Sequence, residues 1–239
     1  MAQPVDFSLR QIAVPAFGPS AIWSIGVGAV LPVVALSARG LGGSIAVAAL
    51  FVGLTGLAEI AAAVPAGVLV ERIGERRAIV LAGVVDAVAC LLALVAPSLW
   101  VLALAVLLMG PSAAIFLLAR QSYLTAAAPV HLRARAMSTL GGVTRIGLFI
   151  GPLVGAPVVA VWGPQAAFGV AVAAGSLASR LAWRTTDLTA HEESAQGGRA
   201  RVPVARVVAE HRRVLLTVGL GVLAIGLARA SRVVVVPLW

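Results

Sequence analysis

The chain has 239 residues, of which 61% are hydrophobic and only 11% are charged, and its mean hydropathy is +1.04. Soluble domains carry about 45–50% apolar and about 25% charged residues, so this composition excludes a water-soluble globular protein. The net charge of +9 is carried by arginine, without lysine. Because these arginines lie in connections between apolar stretches, they indicate orientation in a membrane rather than binding to nucleic acid.

Seven apolar stretches are long enough to cross a bilayer, which takes about 20 helical residues. In chain order they cover approximately residues 14–36, 44–70, 78–96, 99–123, 136–162, 165–183 and 214–236. They predict an all-α integral membrane fold. The short turns on one side hold a single arginine, whereas the opposite connections hold most of the others. By the positive-inside rule, the arginine-rich side and the N-terminus are expected to be cytoplasmic, in the cell's inner (plasma) membrane.

The predicted organisation is a six-helix transmembrane bundle over residues 1–183, a cytoplasmic linker over 184–213, and a seventh helix within 214–239. The first and seventh spans each carry a proline near the outer end, Pro32 and Pro237. Internal repeats are how many transporters are built. The seventh helix is therefore expected to open an incomplete second bundle.

The connection after the second span carries a motif, Gly67-Val-Leu-Val-Glu71-Arg72-Ile-Gly74-Glu-Arg76-Arg77. It resembles the G-x-x-x-D-R-x-G-R-R loop of the major facilitator superfamily of secondary transporters, with glutamate at the aspartate position. The resemblance implies a conformational latch between two six-helix halves. The residues of this latch are Gly67, Glu71, Arg72, Gly74, Arg76 and Arg77. An ordinary basic loop that holds orientation is the alternative.

The fifth span carries a second motif, Gly147-Leu-Phe-Ile-Gly151-Pro152-Leu-Val-Gly155-Ala156. It is similar to the g-x-x-x-G-P-x-x-G-G pattern of drug and metabolite antiporters in the same superfamily, with alanine at the last glycine. The resemblance implies that Gly147, Gly151, Pro152 and Gly155 form a stripe that seals the interface of the halves and favours export. Generic packing of small residues is the alternative. The arginine that the antiporter pattern places in the fourth helix is replaced by Val106.

Three ionisable residues fall near the predicted bilayer midplane, where transporters bind substrates and coupling ions: Glu59, Asp86 and Arg145. One arginine and two carboxylates at similar depth suggest a switchable ion pair, and a static pair that neutralises buried charge is the alternative. The case for Asp86 is weaker, because third helices in the resembled family usually lie outside the cavity. Candidates for substrate contact in the first and fourth helices are Trp23, Ser24, Ser112, Arg120, Gln121 and Tyr123.

The sequence holds no nucleotide-binding loop, no His/Cys cluster for a metal and no credible Ser-His-Asp arrangement, so neither an enzyme nor a cofactor is predicted. The predicted function is proton-driven export of a small amphipathic molecule by alternating access. The expected partners are the lipid bilayer, the substrate, and a second half or a homodimeric copy, with no nucleic acid. The alternatives are an inactive fragment, a dimerising half-transporter and a non-transporting membrane subunit.

Overall fold

Six helices follow one another in the structure, a computed structural model that describes the backbone of residues 13–184 and the side chains of residues 17–184. They are α1 (Ala13–Gly40), α2 (Ile45–Ile73), α3 (Glu75–Leu94), α4 (Leu99–Ala127), α5 (Val130–Trp162) and α6 (Ala166–Arg184). All six are long and apolar enough to cross a membrane. The all-α prediction is confirmed over this range. The predicted linker and seventh helix lie outside the described residues.

The helices extend beyond the apolar stretches that reveal them in the sequence. Helix α5 begins at Val130, about two turns before the predicted start, and includes Arg133 and Arg135. A helix satisfies its own backbone hydrogen bonds, so it continues into the polar interface, whereas hydropathy marks only the part suited to lipid.

The predicted loop between the second and third spans is almost entirely helical. Gly74 alone connects α2 to α3, with φ +81° and ψ 157°, and its N–H donates to the carbonyl of Val70 at 3.0 Å. These angles lie near a region of backbone conformation that is essentially restricted to glycine. Gly74 is therefore the residue that allows the chain to reverse within one position.

Replacing Gly74 by alanine is expected to destabilise the bundle by about 1–3 kcal/mol, because the side chain strains this backbone conformation. The measurement is thermal unfolding of the purified protein in detergent. Gly67→Ala is the matched control, since a Cβ at position 67 would meet its nearest neighbour, Leu118, at an ordinary 4.0 Å. Equal melting temperatures for the two variants would contradict the role given to Gly74.

The bundle is built around α1 and α4. Helix α1 packs mainly on α5 and α6, α4 packs on α2 and α3, and α3 also packs on α6. In the apolar membrane-length segments of α1 and α4, 56% and 50% of the residues are buried. In those of α2 and α5, only 17% are buried. Helices α2 and α5 therefore present most of their apolar surface outward, as contact with lipid or with further protein requires.

Candidate functional site

A cavity of about 290 Å³ lies among α1, α2, α3, α4 and α6. Its wall is mostly aliphatic, and it includes the side chains of Glu59 from α2, Asp86 from α3 and Trp23 from α1. No side chain in this wall, within the described part of the chain, is basic. The two acids lie near the middle of their helices, and the aliphatic part extends toward the arginine-poor end. The site is thus an acidic and mostly apolar cavity within the bundle.

Asp86 is held by the neighbouring helix. Its side chain is buried, with 9% exposed, and its Oδ1 lies 3.0 Å from the hydroxyl of Ser112 on α4. The same hydroxyl lies 2.7 Å from the carbonyl oxygen of Met109. The thiol of Cys90, one turn further along α3, lies 4.0 Å from Oδ2. These contacts fix the carboxyl group in one orientation at the cavity wall.

Glu59 is half-buried, and a glycine on α4 sets its position. A Cβ at Gly110 would lie 2.6 Å from the backbone nitrogen of Glu59 and 2.5 Å from the Cβ of Ala58. Only glycine therefore allows α2 and α4 to approach so closely at this level. Val106, where the antiporter pattern has arginine, is fully buried in the apolar core one turn away.

Trp23 forms a rigid part of the wall. Its indole stacks on the ring of Phe116, with centroids 4.1 Å apart and planes inclined by 11°. Stacked aromatic pairs contribute about 0.5–1.5 kcal/mol beyond the area that they bury. The indole is therefore held in place against α4.

Arg120 and Tyr123 lie elsewhere on α4 and do not line this cavity. The Arg120 side chain is 2% exposed, its Nε donates to the hydroxyl of Ser20 at 3.2 Å, and its guanidinium lies 5.3 Å from the centre of the Tyr123 ring. The hydroxyl of Ser24 donates to the Ser20 carbonyl at 2.7 Å. The hydrogen bond between Arg120 and Ser20 joins α4 to α1. These residues form a second buried polar cluster, whereas Gln121 is only partly buried.

The structure brings Glu59 and Asp86 to one cavity but does not bring Arg145 to them. Arg145 is exposed on α5, which does not contribute to the cavity wall. Equal depth along parallel helix axes does not determine which way a side chain faces. The predicted pairing of this arginine with the two carboxylates is therefore absent. Asp86, the candidate with the weaker case in the sequence, is part of the cavity wall.

The latch motif is tied to its own bundle. Arg76 donates a hydrogen bond to the carbonyl of Trp183 at the end of α6, and its guanidinium lies 4.6 Å from the centre of that indole. The hydroxyl of Ser122 on α4 donates to Glu75 at 2.8 Å. The remaining charged members of the motif, Glu71, Arg72 and Arg77, are exposed. A latch between two halves stays a prediction.

Replacing Arg76 by alanine is expected to destabilise the bundle by about 1–2 kcal/mol, from the loss of a cation–π contact and a hydrogen bond. Arg77→Ala is the control, because Arg77 is exposed and its replacement removes the same positive charge. Thermal unfolding in detergent compares the two. A pair of melting curves that coincide would show that the Arg76 contact with α6 contributes nothing.

The glycines of the fifth-span motif pack against α1. A Cβ at Gly151 would lie 2.5 Å from the carbonyl oxygen of Ile25 and 2.6 Å from the nitrogen of Ala29, both backbone atoms. Gly147 and Gly155 also face α1 closely. Pro152 lies on the exposed side. The stripe therefore serves an α1–α5 contact, and its role between two halves stays a prediction.

The family model described as Major Facilitator Superfamily matches residues 20–239. The chain belongs to the major facilitator superfamily. Members of this superfamily are generally transporters and not enzymes, so the chain is a multi-pass membrane protein of transporter type. No curated protein matches the chain significantly. In this superfamily member, Glu59, Asp86 and Trp23 are the candidate site residues that share one cavity.

Two features of the site have partial signals in the sequence. Cys90 lies four residues after Asp86, and this spacing predicts that both side chains lie on the same face of α3. Ser112 is among the predicted contact residues, but its hydrogen bond to Asp86 joins residues 26 positions apart on different helices. Nothing local in the sequence reveals that pairing.

Proposed function

We propose that this transporter exports a small amphipathic molecule across the inner (plasma) membrane in exchange for protons, by alternating access. The observation that carries the proposal is the cavity in which Glu59 and Asp86 share a wall with aliphatic side chains and an indole. Carboxylates in the middle of membrane helices are costly and usually functional. The apolar wall suits the body of an amphipathic substrate.

Protonation provides the coupling. An ionised carboxyl group in a closed, apolar cavity has an unfavourable free energy, and a neutral one much less so. Proton binding at Glu59 or Asp86 therefore favours the conformation in which the cavity is closed to water. A substrate that binds the ionised form favours the opposite state, so proton and substrate shift one equilibrium in opposite directions. No cofactor is needed when a proton gradient is the driving force.

Two features support the direction and the orientation. The similarity of the Gly147–Gly155 stripe to the antiporter pattern supports export. The arginines at one end of the bundle, including Arg72, Arg77 and Arg184, support a cytoplasmic location for that end and hence for the N-terminus.

Alternating access takes place when two transmembrane bundles rock against each other. The proposed mechanism therefore requires a partner for this bundle. The outward apolar surfaces of α2 and α5 support such a protein partner, either a second half or another copy of the chain. A membrane subunit that does not transport is the second candidate, and it predicts no substrate flux.

Everted vesicles with a respiration-driven acidic interior test the proposal through uptake of ethidium. The wild-type chain is expected to concentrate the dye, and Glu59→Gln is expected to lose uptake by about tenfold or more, equivalent to about 1.4 kcal/mol. Glu75→Gln is the charge-matched control, because Glu75 lies outside the cavity and an amide still accepts the hydrogen bond from Ser122. Uptake no greater than in vesicles lacking the protein would favour the non-transporting subunit.

A further inference from the structure

A groove of about 220 Å³ lies between α3 and α6 at the arginine-rich end of the bundle. One residue of α3 and four of α6 form its wall: Val80, Ser179, Arg180, Trp183 and Arg184. None of them lines the central cavity, so the groove is a separate site. Because α6 ends at Arg184, the groove lies at the end of a membrane-length helix, where lipid headgroups meet hydrocarbon.

The groove lies between two helices that are already packed together. Ser179 of α6 contacts α3 at Gly83, where an added Cβ would overlap the serine hydroxyl. Arg76 of α3 donates to the carbonyl of Trp183, and its guanidinium lies 4.6 Å from the centre of that indole. The indole is nevertheless 54% exposed. The wall is therefore held in place while a large part of the indole stays available to a ligand.

The charged side chains of this groove are basic. Arg180 and Arg184 are exposed and lie one turn apart on the same face of α6. Arg77, also exposed, lies three residues before Val80 and so on the same face of α3. No acidic side chain of the described residues lines the groove, and Glu75, in the first turn of α3, accepts a hydrogen bond from α4. These charges favour an anionic ligand.

We propose that this groove binds an anionic phospholipid, with the phosphate held by Arg180 and Arg184 and the glycerol and upper acyl chain against Trp183 and Val80. Arginine binds phosphate through paired N–H donors. Indole rings favour the level between headgroups and acyl chains. Basic pockets between transmembrane helices suit anionic lipid headgroups for these reasons.

The wall distinguishes such a lipid from two related ligands. Val80 and most of the Trp183 indole are apolar, and covering them with hydrocarbon is favourable by about 25 cal/mol per Å². A free phosphate gains nothing from that surface. A zwitterionic phospholipid has the acyl chains, but its ammonium group is repelled by the same arginines. The groove therefore selects a lipid with a net negative charge.

Native mass spectrometry of the full chain, released from non-ionic detergent, tests the site with phosphatidylglycerol and phosphatidylcholine of identical acyl chains. The wild type is expected to bind one phosphatidylglycerol about tenfold more tightly than phosphatidylcholine. The double variant Arg180→Gln/Arg184→Gln is expected to bind it about thirtyfold more weakly, about fivefold for each arginine. Arg72→Gln/Arg135→Gln is the control, because it removes two exposed arginines from other helices.

Three results of this experiment would overturn the proposal. Equal affinity for the two lipids would mean that the net charge of the lipid is not recognised. Equal weakening in the two double variants would mean that the lipid responds to total charge and has no site between α3 and α6. Displacement of phosphatidylglycerol by glycerol 3-phosphate at equal concentration would assign the arginines to a free phosphate.

Quenching of tryptophan fluorescence locates the lipid. In phosphatidylcholine vesicles, brominated phosphatidylglycerol is expected to quench the wild-type emission more than brominated phosphatidylcholine does at the same mole fraction. This excess is expected to disappear in Trp183→Phe and to persist in Trp100→Phe, an exposed tryptophan at the start of α4. An excess that survives in Trp183→Phe would place the lipid elsewhere and sink the proposal. Both experiments measure lipid binding alone, so their results do not depend on the proposed transport.

Discussion

Replacing Gly151 by leucine is expected to abolish folding of the bundle, and Gly151→Ala to destabilise it by about 1–3 kcal/mol. A Cβ at this position would lie 2.5 Å from the Ile25 carbonyl oxygen and 2.6 Å from the Ala29 nitrogen. These are backbone atoms of α1, so no rotamer change can relieve the overlap and the two helices must move apart. Gly28 makes the reciprocal approach, with a Cβ there 2.6 Å from the Leu148 carbonyl oxygen.

Gly141→Ala and Gly142→Ala are the matched controls on the same helix. A Cβ at either position would meet nothing within 4 Å, so alanine is expected to be neutral or to stabilise α5 by up to about 1 kcal/mol through its helix propensity. The measurement is the fraction of protein that stays monodisperse in detergent after heating. Gly151→Ala with the thermal stability of the two controls would mean that α1 and α5 do not pack through this glycine.

Replacing Asp86 by asparagine is expected to uncouple transport from protons. The amide preserves the size of the side chain and a hydrogen bond with Ser112, but it cannot release a proton. In proteoliposomes with an imposed pH gradient, phenyltrimethylammonium serves as a small amphipathic test substrate. Its accumulation is expected to fall at least tenfold, equivalent to about 1.4 kcal/mol. Exchange of labelled for unlabelled cation at equal pH on both sides is expected to persist.

The Glu75→Gln protein serves as the control for loss of an acidic side chain outside the cavity. If Asp86→Asn still concentrates the cation as the wild type does, Asp86 is not the coupling group. If it loses exchange as well as accumulation while remaining folded, Asp86 acts in substrate binding, and its role as a coupling group alone is wrong.

Hydropathy predicted the six described spans because the solvent imposes this pattern directly: about 20 apolar residues are needed to cross the lipid. The same reasoning placed Glu59 and Asp86 near mid-depth, since position along a helix follows from counting residues. It did not predict the extension of α5 to Val130, because polar residues at the interface remain helical.

The direction in which a side chain faces was not predictable in the same way. These helices are apolar on most sides, so no polar face distinguishes the inside of the bundle from the lipid. Depth along the helices therefore groups Arg145 with the two carboxylates, although Arg145 is exposed on α5. The resemblance to the family favours Asp86 less, although Asp86 lines the cavity. The hydrogen bond between Ser112 and Asp86 depends on how α3 and α4 pack, which no local pattern encodes.

Proton movement driven by substrate tests the coupled exchange at this cavity most directly. Proteoliposomes containing the wild-type chain and a trapped pH-sensitive dye receive an outward gradient of phenyltrimethylammonium at equal pH. The lumen is expected to become more acidic as the cation leaves, and the Asp86→Asn protein is expected to show no change of pH. Efflux of the cation through the wild-type protein at constant internal pH would contradict the exchange of a proton for substrate.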